Sequence, residues 1–75
     1  MKRYTISWSD RAREIADMQA EYVNSGWATI SDVIKLLNNL EENPLIKNRA
    51  AKRFGNLVRA GKVIENIELY NSRFN

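Results

Sequence analysis

The sequence predicts one mainly α domain with a small β component, spanning residues 1–75. Three observations predict it. Apolar residues recur at helical spacing in three separate stretches. Side chains able to cap a helix stand ahead of these stretches, and glycine follows two of them. Arg3 to Trp8 instead alternates: Tyr4, Ile6 and Trp8 face one way, and Arg3, Thr5 and Ser7 the other. That is the period-2 pattern of a short, half-buried strand.

The first helix is expected from Ser9 as N-cap to about Asn24, with Ala12, Ile15, Ala16, Tyr22 and Val23 inward. Gln19 interrupts that stripe. Asp10 suits the positive end of the helix dipole, and Arg13 can pair with Asp17 one turn on. Ser25-Gly26 stops the helix. Trp27 to Ile30 reads as a short extended link. Ser31 then caps a second helix from Asp32 to about Leu40, with Val33, Ile34, Leu37 and Leu40 apolar.

Glu41-Glu42-Asn43-Pro44 breaks that helix, because proline biases the residue before it away from helical geometry. The third helix can start at Asn43, with Pro44 in its first position, or at Asn48. Asn48 is preferred, because carrying the helix further back puts Leu45 off the apolar stripe and Lys47 on it. Leu45 and Ile46 would then plug the core from the turn. Ala50, Ala51, Phe54, Leu57 and Val58 fall in a sector about 120° wide at roughly 100° per residue. Arg49, Lys52, Arg53, Asn56 and Arg59 fall opposite. Gly55, mid-helix, costs about 1 kcal/mol against alanine, and either admits a neighbouring helix or marks a kink. Gly61 ends the helix. Val63, Ile64, Ile67, Leu69 and Tyr70 read as extended chain. They form either a small hairpin around Glu65-Asn66 or one strand pairing with Arg3 to Trp8.

Composition excludes several functions. The hydrophobic fraction of 44% is that of a folded protein, and a chain of 75 residues buries one small core. It has no cysteine, hence no disulfide and no cysteine zinc site. It has no histidine, which removes the commonest general base and metal ligand. Glu41 and Glu42 are adjacent, so on a helix they point about 100° apart rather than converging. Gly26, Gly55 and Gly61 are too dispersed for a phosphate loop. No catalytic residue, metal site or cofactor is expected, and the chain is not expected to be an enzyme. No apolar run approaches the roughly 20 residues of a membrane span, and Lys2 and Arg3 precede no signal-like apolar stretch. A cytoplasmic location without membrane contact is expected.

Charge is distributed unevenly. Residues 1–43 carry a net −2 and residues 44–75 a net +5. From Pro44 to Lys62 there are six basic residues, Lys47, Arg49, Lys52, Arg53, Arg59 and Lys62, and no acidic one. A solvated helix face normally mixes signs, so this stretch predicts a cationic face turned towards a partner.

Two segments, Trp27-Ala28-Thr29-Ile30-Ser31-Asp32-Val33-Ile34-Lys35-Leu36-Leu37 and Asn48 to Ile64, together resemble a winged-helix domain, a variant of helix-turn-helix. Leu57, Gly61 and Val63 look like the end of its recognition helix, a Leu, three residues, Gly, one residue, then Ile or Val. The resemblance spans roughly residues 10 to 70. It departs from the family in the long link between the second and third helices, in Gly55, and in a short wing of little positive charge.

The resemblance implies a three-helix winged-helix-like fold, and a small transcriptional regulator that binds double-stranded DNA with its third helix in the major groove. The expected nucleic-acid-binding residues are Lys47, Arg49, Lys52, Arg53, Asn56, Arg59 and Lys62. Arginine can read guanine and asparagine can read adenine; lysine more often meets phosphate. A homodimer would double the few contacts one small domain offers. The alternative is an inhibitor or adaptor whose cationic face docks on an acidic protein. Trp8, Trp27, Tyr4, Tyr22, Tyr70 and Phe54 read as core or near-core residues; otherwise Trp8, Tyr70 or Phe74 would form an exposed patch.

Overall fold

The structure is a computed structural model that describes residues 8–40 and 43–74. Among the described residues the chain forms four α-helices and no strand: α1 (Trp8–Asn24), α2 (Ile30–Asn38), α3 (Pro44–Arg59) and α4 (Ile67–Phe74). This corrects the expected β component and, with it, the winged-helix reading, which needs a β wing. Residues 3–7 of the expected first strand lie outside the described residues, and Trp8 opens α1.

In place of the wing the chain starts a fourth helix. Asn66 caps α4: its side-chain oxygen accepts from the Leu69 N–H at 3.2 Å, and its carbonyl accepts from Tyr70 N–H at 3.0 Å. Glu68 in the first turn and Arg73 in the last both suit the helix dipole. Residues 62–66 cross from α3 to α4 as irregular chain. Asn24 holds this segment, its amide donating to the Lys62 carbonyl at 3.0 Å and accepting from Ile64 N–H at 2.6 Å. The Glu65 carboxylate accepts from Ile30 N–H, which places a negative charge at the start of α2.

Both predicted glycine stops occur. At each, the amide two residues past the last helical turn reaches back to a carbonyl five residues earlier. These bonds are Trp27 N–H to Tyr22 O at 2.8 Å and Lys62 N–H to Leu57 O at 2.9 Å. Gly26 and Gly61 sit at φ +79° and +75°, where a side chain would be strained.

Two helix starts differ from expectation. Thr29, not Ser31, caps α2. Its hydroxyl accepts from Asp32 N–H at 3.1 Å, while the Asp32 carboxylate accepts from Thr29 N–H at 3.2 Å. Asn43 caps α3 with Pro44 in the first turn, and its side chain accepts from Leu45 N–H at 2.8 Å. The earlier start buries Ile46 from within the helix and leaves Leu45 exposed.

The core is Ala12, Ala16, Ala20 and Val23 of α1, Val33 and Leu37 of α2, Ile46, Ala50 and Phe54 of α3, and Val63. An alanine stripe lets α1 lie close to α3, its main neighbour. Tyr22, expected inside, is 43% exposed, and Ala20 takes its place. Trp27 is also exposed and carries the Arg73 guanidinium 3.4 Å above its ring. Tyr70 is half-buried; of the expected core aromatics that are described, Phe54 alone is fully inside. The side chains of Tyr4, Trp8 and Phe74 lie outside the described residues. None of the described helices is long and apolar enough to cross a membrane.

Candidate nucleic-acid interface

The start of α1 meets the end of α3 along a groove of about 500 Å³. Ala12, Leu57 and Ala60 form its apolar floor. Arg13, Arg49, Lys52, Arg53 and Lys62 converge on it, with Asn56 on the α3 wall. Asp10 is the carboxylate among the lining residues. Five cations around one groove raise the local potential well beyond what a net charge of +3 conveys.

Five of the seven predicted residues are brought together here: Arg49, Lys52, Arg53, Asn56 and Lys62. Lys47 is half-buried and does not line the groove. Arg59 donates to the Asn56 side chain and lines a different groove, between α2 and α3.

Carboxylates of α1 hold two of the guanidinium groups. Arg53 meets Asp17 through two bonds of 2.8 and 3.4 Å, and Arg13 meets Asp10 at 2.9 Å. The expected Arg13–Asp17 pair is therefore replaced. In both pairs the side chains stay roughly half exposed, so each pair contributes at most about 1 kcal/mol. Their larger effect is positional: Asp17 turns Arg53 along the groove wall and offsets its charge. Sequence reasoning missed Arg13 as a groove residue. Its signal is the closeness of two segments some 40 residues apart, which no local pattern carries.

The resolved pKa shifts lie elsewhere, at the start of α2. The Asp32 carboxyl is held below its ordinary value chiefly by the hydrogen bond from the Thr29 backbone, then by the Thr29 hydroxyl. Tyr70 is pushed up, first by desolvation and then by the charge of Asp32. Compared with known protein families, curated proteins and solved structures, the chain matches none.

Proposed function

We propose that this protein binds double-stranded DNA through the α1–α3 groove and acts as a small transcriptional regulator in the cytoplasm, as a homodimer. The observation that carries the reading is the convergence of Arg13, Arg49, Lys52, Arg53 and Lys62 on one groove. Helix α3 has 16 residues, hence about 24 Å of length. Its exposed edge fits a major groove about 12 Å wide. Arg49 and Asn56 are the residues suited to base edges, and Lys52 and Lys62 to phosphate. Arg53, bound to Asp17, shapes the wall rather than reading bases.

Fluorescence anisotropy against random duplex DNA tests this. About three phosphate contacts, from Arg13, Lys52 and Lys62, give a slope of log K on log salt near −2.7, or on the order of 40-fold weaker binding between about 50 and 200 mM salt. Replacing Arg49, Lys52 and Lys62 by alanine should reduce the slope to about −1 with the fold intact. Unchanged affinity in that variant overturns the assignment. An adaptor for an acidic protein would use the same groove. A preferred DNA sequence over random duplex supports the regulator, and its absence beside tight capture of one acidic protein supports the adaptor.

A further inference from the structure

A second groove flanks α3 on its other side. Ile30, Ile34 and Leu37 of α2 face Phe54, Gly55 and Val58 of α3 across about 300 Å³ of open space. Ile34 is 48% exposed there. Gly55 is the notable residue. It has an ordinary helical φ, and a Cβ built on it would meet just the Arg59 guanidinium at 3.8 Å. No described residue needs a glycine at that position, although glycine costs about 1 kcal/mol in a helix. The notch it leaves is open to something arriving from outside.

The chain also carries a shape that matches. The outer side of α1 presents Met18, 51% exposed, and Tyr22, 43% exposed, and half-buried Ile15, which also packs against the core, continues the stripe at a spacing of three. Exposed Glu14 and Glu21 run along one side of this stripe. The groove is edged instead by a cation, Arg59 on α3. From Ile15 to Tyr22 and from Ile30 to Leu37 is seven residues each, about 10 Å of helix. An apolar stripe flanked by two carboxylates thus matches a groove of equal length with a cation at its edge.

We infer that the protein associates with a second copy of itself, seating the Ile15–Met18–Tyr22 stripe of one protomer in the α2–α3 groove of the other. The contact leaves the cationic groove open. Arg13, which lines that groove, lies more than about 100° around α1 from Met18 and Tyr22. The inference gives the homodimer proposed above its interface and does not depend on DNA binding.

Sedimentation equilibrium of the full chain without DNA tests it. The wild type should self-associate reversibly, and a monomer at every concentration overturns the inference. Gly55→Leu fills the notch while improving helix propensity, so loss of fold does not account for its effect. It should weaken association about tenfold or more. Met18→Glu should do the same by placing an unpaired carboxylate against Ile34 and Leu37. Each variant keeps the half that the other lacks. Mixing them should therefore restore a mixed pair that neither forms alone. Association untouched by both substitutions but abolished by Ile67→Glu would place the contact on α4 and overturn the proposal.

Discussion

Gly26→Ala tests how α4 is held. Gly26 lies at φ +79°, and a Cβ there would sit 2.2 Å from Leu69 Cβ, with Leu69 C and Tyr70 N each at 3.0 Å. Gly61 has nearly the same backbone, φ +75°, with no atom of the described residues within 4 Å of an added Cβ. Gly61→Ala therefore isolates the backbone strain, about 1–2 kcal/mol. Gly26→Ala adds a contact that cannot be kept, because ordinary Cβ contacts begin near 3.4 Å. Leu69→Ala would not relieve it, since the atom struck is Cβ itself. Helix α4 must move by more than 1 Å, and it packs against none of α1, α2 or α3 along its backbone. It can undock, which limits the added cost to what its docking contributes. We expect a total loss of about 2–4 kcal/mol for Gly26→Ala. Once undocked, an eight-residue helix falls short of the roughly 12 residues that hold helicity in water, so α4 should also melt. Urea denaturation gives the energies, and far-UV circular dichroism gives the helix loss. In a Trp8→Phe background, Trp27 fluorescence reports departure of the Arg73 guanidinium. Equal destabilisation by the two substitutions, with Trp27 emission unchanged, would refute the reasoning.

Two further predictions concern the carboxylates. Asp17→Asn frees Arg53 and removes a negative charge beside the groove. DNA affinity should rise and the salt slope steepen by about 0.9, while stability falls by no more than about 1 kcal/mol; anisotropy and urea titrations measure the two. Asp32 has a lower pKa folded than unfolded, so its contribution is complete above the ordinary value of 3.8 and is lost as pH falls below it. Asp32→Asn should therefore flatten the acid limb of a stability–pH curve, and Thr29→Ala should lower stability by about 1 kcal/mol at neutral pH. An acid limb identical to wild type in Asp32→Asn would contradict the capping-box account.

Where a signal is short-range, the residues state the structure directly. Gly26 and Gly61 stop helices, and the alternation of core and cationic positions along α3 follows from 3.6 residues per turn acting on Ala50, Phe54, Arg49 and Lys52. Competing local signals are less decisive. Val63, Ile64 and Ile67 favour extended chain, whereas Asn66 and Glu68 favour a helix start. Eight residues cannot settle that contest alone. Close approach at Gly26, the Arg73–Trp27 contact and the bond between Tyr70 and Asp32 settle it for the helix. The groove's composition was likewise beyond local reading. That Arg13 joins the cations of α3, and that Asp17 claims Arg53 across 36 residues, follows from the alanine stripe that draws α1 against α3. Sequence by itself determined which side chains could carry charge and where helices could stop. Tertiary packing decided which charges meet, because Coulomb and contact energies depend on distances through space that chain spacing leaves open.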